Sequence, residues 1–101
     1  MSNVSETIKS LRALYESETD PEREQALFHQ YEAALDAALN IVDLEIGKNT
    51  NKLQEATDKL QKAIDDVRKA KKELGDVAGA IIKLAKAVDL FVKIAGIIAG
   101  G

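Results

Sequence analysis

Residues 67–84, VRKAKKELGDVAGAIIKL, decide the fold of this chain. Lys69, Lys71 and Lys72 end a run of helix formers with positive charge, which suits the negative end of a helix dipole. Gly75 follows, a residue type that ends helices by taking the left-handed conformation, and Asp76 is suited to cap the first amides of a new helix. By these signals the chain turns at 75–76. The hydrophobic spacing points the other way. With Leu35 taken as a heptad core position, Leu39, Val42, Ile46, Asn49, Leu53, Ala56, Leu60, Ala63, Val67, Ala70, Leu74, Val77, Ile81, Leu84, Val88, Phe91, Ala95 and Ile98 all fall on core positions. The phase does not slip at Gly47 or Gly75, as though each glycine lay inside a helix at a cost of about 1 kcal/mol.

Two architectures follow. In the first, four helices at 4–17, 21–46, 50–74 and 76–98 form an antiparallel bundle with short connections. In the second, residues 50–98 form one continuous helix and the chain is a long hairpin turning at 47–51, with apolar surface left over that a dimer must cover. The bundle is preferred, as a single domain spanning 1–101.

The other boundaries are easier to read. Val4, Ile8, Leu11 and Tyr15 recur at spacings of four, three and four, one face of a helix that Ser2 or Asn3 would cap. Asp20–Pro21–Glu22 starts the next: Asp caps, Pro fits the first turn, and Glu22 and Glu24 favour its positive end. Gly47–Lys48 reads as its stop, and Asn49 as a turn residue in preference to a register-setting core asparagine. The segment from Lys52 to Leu74 carries only a narrow apolar seam, with acid-before-base pairs Glu55–Lys59, Asp58–Lys62 and Asp65–Lys69, so it is expected at the periphery. The second and fourth helices have wider apolar faces and are expected to be central. In the fourth, Lys83, Lys86, Asp89 and Lys93 fill a polar arc of roughly 140°.

Composition narrows the function classes. The chain has 101 residues, 46% hydrophobic and 31% charged, too apolar for a disordered segment. Its four aromatics are Tyr15, Phe28, Tyr31 and Phe91, so Leu, Ile, Val and Ala must build the core. No cysteine is present, which removes disulfides, thiolate metal sites and cysteine nucleophiles together. With no basic-then-apolar leader at the N-terminus, a cytoplasmic location is expected; the alternative is secretion or membrane association without a classical signal peptide. Charge is lopsided: residues 1–47 hold three basic and ten acidic side chains, net −7, and residues 48–101 hold eleven and seven, net +4. Such polarity favours a fold that brings the halves together, but the basic half is too sparse and too poor in aromatics for nucleic acid.

No catalytic, metal or cofactor pattern emerges. His29 is the only histidine, and the reversed, unrepeated His29-x-x-Glu32 is not the Glu-x-x-His pair of carboxylate-bridged metal bundles. Ser5, Ser10 and Ser17 lack the sequence around a nucleophile elbow. Asp65–Asp66 and the acidic group Glu16, Glu18, Asp20, Glu22 and Glu24 lack the alternate oxygen ligands and central glycine of a calcium loop. Gly75-x-x-x-Gly79 and Gly96-x-x-x-Gly100 read as helix-end signals more than as close helix contacts.

The expectation is therefore a non-enzymatic helical module for protein–protein interaction, self-associating or bound to a helical partner, with no cofactor and no small-molecule substrate. Its interaction surface is expected on the apolar stripes Leu53, Leu60 and Val67, and Ile81, Leu84, Val88 and Phe91. Residues 76–98 also suit a cationic amphipathic helix on a membrane surface, so a membrane-active subunit is the second reading. In size and hairpin outline the chain is similar to the small helical substrates of type VII secretion, although it has no tryptophan for their Trp-x-Gly turn. In helix count it resembles the four-helix immunity proteins of bacteriocin producers, and its apolar last helix resembles components of α-helical pore-forming toxins. These are likenesses of shape, which carry no function with them.

Overall fold

The computed structural model describes residues 3–42 and 50–100. Helix α1 (Val4–Glu16) begins where the Asn3 side chain accepts hydrogen bonds from the amides of Ser5 and Glu6, at 2.8 and 3.3 Å. It ends at Ser17, whose hydroxyl donates to the Leu14 carbonyl. Helix α2 (Pro21–Val42) starts as its sequence signals: the Asp20 carboxylate accepts from the Arg23 amide, and its carbonyl from the Glu24 amide. Helices α3 (Thr50–Lys72) and α4 (Val77–Gly100) follow. The end of the second helix and the Gly47 and Asn49 readings fall outside the described residues.

The chain does turn between α3 and α4, so the continuous 50–98 helix is not formed. The left-handed residue is Leu74, with φ 56°, and not Gly75 as the sequence suggests. The Gly75 amide bonds back to the Ala70 carbonyl at 2.7 Å, the six-to-one closure of a Schellman motif whose left-handed position is Leu74. Asp76 then caps α4, its carboxylate accepting from the Gly79 amide at 2.9 Å.

The result is an all-α four-helix bundle. Helix α1 packs on α2 and α3, α4 packs on α2 and α3, and among the described residues the backbones of neither diagonal pair come close, so the order around the bundle is α1–α2–α4–α3. The bundle measures 41 × 22 × 19 Å, and a 24-residue helix about 36 Å long fits only along its long axis. In a ring of this kind no helix is central. Helix α3, expected at the periphery, buries Leu53, Ala56, Leu60, Ala63, Ile64 and Val67 and packs most extensively of all on α4. Small residues, Ala56, Ala63 and the buried Thr57, alternate in this seam with the larger Leu53, Leu60, Ile64 and Val67. The Thr57 hydroxyl, at 2.7 Å from the Leu53 carbonyl, needs no other partner. Each fully buried Leu, Ile or Phe contributes about 1.5–3 kcal/mol.

Nor is the heptad seam one surface. Helix α2 turns Leu27, Ala34, Ala37, Ala38 and Ile41 inward, while Leu35 is half-buried and Leu39 exposed. Leu74 points into solvent, 93% exposed.

Candidate functional site

Each residue expected to form an interaction surface lies against the chain's own core. Leu53, Leu60, Val67, Leu84, Val88 and Phe91 are buried, and Ile81 packs half-buried beside them. A second molecule could reach the six buried side chains only by opening the bundle. The large apolar groups left outside among the described residues are others: Phe28 and Leu39 on α2, Ile82, Val92 and Ile97 on α4, and Leu74 in the turn between α3 and α4.

Of the first set, Leu39 lines a groove between α1 and α2, and Phe28 lies outside it in a separate depression beside Tyr15. In the groove Val4 and Ile8 of α1 lie opposite Tyr31, Leu35, Ala38 and Leu39 of α2, around an open, mostly apolar depression of 420 Å³. On α2, Phe28, Tyr31, Leu35 and Leu39 are spaced three, four and four apart, so they share one flank of the helix. The strip continues into an aromatic cluster. The Tyr15 ring lies 5.1 Å from Phe28 and stacks at 6.0 Å on Tyr31, placing three of the four aromatics together. The α1 rim carries Lys9 and Arg12, the latter paired with Glu16 at 3.3 Å. The exposed surface of α2 carries Glu24, Glu32 and Asp36. His29 is exposed, with its ring 6.4 Å from Phe28. Among the described residues no three His, Asp or Glu side chains converge as a metal site would require.

The second set lies on the outward surface of α4. There Ile82 shares the outermost arc with Lys86, Asp89 and Lys93, Ile97 lies to one side, and Val92 lies at the edge nearer α2. No described helix is long and apolar enough to cross a membrane.

One charged residue of the acidic N-terminal group has a structural task that its sequence context hides. Glu18, between α1 and α2, is 5% exposed. One carboxylate oxygen accepts from the amides of Thr19 and Asp20, at 3.0 and 3.1 Å, and the other lies 3.4 Å from the Lys71 ammonium at the end of α3. Burial pushes the carboxyl up. The Asp20 amide, the Lys71 charge and the Thr19 amide together outweigh burial and hold the carboxyl below its ordinary 4.5. With the Arg68 guanidinium donating to the Ser10 carbonyl at 3.1 Å, this contact fastens the acidic half of the chain to the basic half. The helix-surface pairs play a smaller part: Glu55–Lys59 closes at 3.3 Å, whereas Asp65 is engaged by Gln61 and Arg68.

Compared with known protein families, curated proteins and solved structures, the chain matches none.

Proposed function

We propose that this protein is a non-enzymatic interaction module that receives an amphipathic helix in the α1–α2 groove. The observation that carries this reading is an apolar, aromatic flank of α2 that the bundle leaves partly open. Leu39 is 54% exposed, and Phe28, Tyr31 and Leu35 continue the strip at helical spacing. Grooves that take helices present such ladders, and aromatic anchors dominate the binding energy of many interfaces. An incoming helix needs apolar side chains at i, i+3 or i+4, and i+7. It also needs basic residues toward Glu32 and Asp36 on the α2 side.

The test uses a monomeric probe helix of Leu and Ile at that spacing, flanked by Lys, titrated against the protein while tyrosine fluorescence is followed. Tyr15 and Tyr31 line or adjoin the groove, so binding changes their emission, and Leu39→Asp abolishes the change without altering the thermal melt. An unchanged emission up to millimolar probe, or a response that Leu39→Asp leaves intact, overturns the proposal.

A second reading has its own support. Ile82, Val92 and Ile97 with Lys83, Lys86 and Lys93 make an apolar, cationic outer face suited to an anionic membrane surface. It requires flotation with vesicles containing anionic lipid and loss of that binding in Ile82→Asp. The buried Phe91 is unsuitable for this test because replacing it would disrupt the core.

A further inference from the structure

We infer that the helix received by the α1–α2 groove is α2 of a second copy of this chain, each copy laying its α2 in the groove of the other about a two-fold axis parallel to the helices. The inference rests on the groove reading above and adds the identity of the occupant.

The strip on α2 is itself the ladder that the groove calls for. Phe28, Tyr31, Leu35 and Leu39 recur at i, i+3, i+7 and i+11. On a helical wheel Phe28 lies within about 20° of Leu39, and Leu35 and Tyr31 lie about 40° and 80° from it on the side of α1. Glu32 and Asp36 lie about 20° and 60° from Leu39 on the opposite side, and both are exposed. When two such faces meet, each α2 settles between the α1 and the α2 of the other copy. Its Leu39 then points into the groove, its Leu35 meets Leu35 of the second copy near the axis, and its acidic flank turns toward the second copy's α1.

That flank finds basic partners at matching heights. The Tyr15 ring packs 5.1 Å from Phe28 and 6.0 Å from Tyr31, so Tyr15 stands level with the turn between them. Helices α1 and α2 run antiparallel, and each step back along α1 is a step forward along α2. Arg12 is therefore level with Glu32, and Lys9 with Asp36. Lys9 and Arg12 form the α1 rim of the groove. An axis parallel to the helices preserves every height, so Arg12 and Lys9 of each copy meet Glu32 and Asp36 of the other. Arg12 is held in its own copy by an exposed pair with Glu16, a contact that gives way at little cost. An axis across the helices instead stacks α2 on α2 and α1 on α1, which sets acid against acid and Lys9 against Lys9. Charge thus selects one symmetry.

The contact is short. Phe28 to Leu39 spans about 16 Å of helix, and one turn before Phe28 the exposed Glu24 side chains of the two copies approach the axis and repel. An interface of this extent is small, so assembly is weak and concentration-dependent. The same surface serves both copies, so the contact is isologous and closes at the dimer.

The experiment is sedimentation of the full chain from about ten micromolar to about one millimolar, in low and high salt. The wild type is expected to pass from monomer to dimer and no further, with the dimer weakened about tenfold or more by high salt. Leu39→Asp, at a position more than half exposed, is expected to stay monomeric with its thermal melt unchanged. Lys9→Glu and Asp36→Lys are each expected to weaken the dimer about tenfold or more. The double variant carrying both re-forms the pair with its signs reversed and is expected to recover the dimer. A double variant no better than either single one overturns the inference, as does a wild type that stays monomeric throughout or grows beyond the dimer. The probe helix then separates the two readings. If it still fills the groove of a monomeric wild type, only self-recognition fails; if it does not, the groove reading fails with it.

Discussion

Replacing Glu18 tests how the two halves of the chain are joined. In Glu18→Ala the amides of Thr19 and Asp20 lose their acceptor at the start of α2, and the Lys71 ammonium loses its counter-ion. Hydrogen bonds to a charged group are worth about 1.5–3 kcal/mol each before compensation. The connector is near the surface, so water can reach the freed amides, and Lys71, with 24% of its side chain exposed, can turn outward. We therefore expect a net cost of about 2–3 kcal/mol, or roughly 10–20 °C in Tm for a domain of this size. Glu18→Gln keeps an acceptor for the amides and loses mainly the ion pair, about 1 kcal/mol at neutral pH. The two variants also differ from the wild type in how stability responds to acid. The folded-state pKa of Glu18 is depressed, so its contribution is complete above the ordinary value of 4.5 and is lost as pH falls through the lower folded value. Urea unfolding followed by circular dichroism, at pH 7 and at several values below 4.5, measures this directly. The gap between wild type and Glu18→Gln should shrink steadily on acidification. A gap that is constant with pH, or a Glu18→Ala cost below about 0.5 kcal/mol, would refute the reasoning.

Two further substitutions probe local features. Leu74 is held at φ 56° with its side chain in solvent, so Leu74→Gly should raise stability by about 1 kcal/mol, whereas Gly75→Ala should change it little because Gly75 has no positive φ and a Cβ there meets Ala70 no closer than 3.7 Å. Chemical denaturation of both variants checks this ordering, which the reverse result would contradict. The hydroxyl of Thr7 is buried without a partner, so Thr7→Val, which keeps its shape, should stabilise the bundle by about 1 kcal/mol in the same assay. Thr57→Val should gain less, since Thr57 already bonds the Leu53 carbonyl.

Local signals in this sequence were more informative than its long-range pattern. Asp20–Pro21 and Asp76 start helices by satisfying amides within three residues, and such contacts depend on no distant partner. The unbroken heptad phase misled for a geometric reason. Residues 73–76 form a four-residue turn, close to the length of one helical turn, so the apolar period on either side stays in step although the chain reverses. Apolar width was likewise a poor guide to position. Helix α3 buries its narrow seam from Leu53 to Val67, while the wider face of α4 leaves Ile82, Val92 and Ile97 outside. On α2 a wide face likewise puts Leu35 and Leu39 beside α1 rather than in the core. The Glu18–Lys71 and Arg68–Ser10 contacts join residues more than fifty positions apart, and no spacing rule reveals such partners.

The central claim is that α4 folds back along α3 within one chain. Spin labels at Lys52→Cys and Lys93→Cys test it most directly, since both sites are exposed and the chain has no other cysteine. With labelled protein diluted in unlabelled protein, neighbouring antiparallel helices place the pair about 20 Å apart, from an axis spacing of 8–10 Å plus the label arms. A continuous helix through Gly75 would place them about 60 Å apart, and a distribution centred there would contradict the fold and the surfaces derived from it.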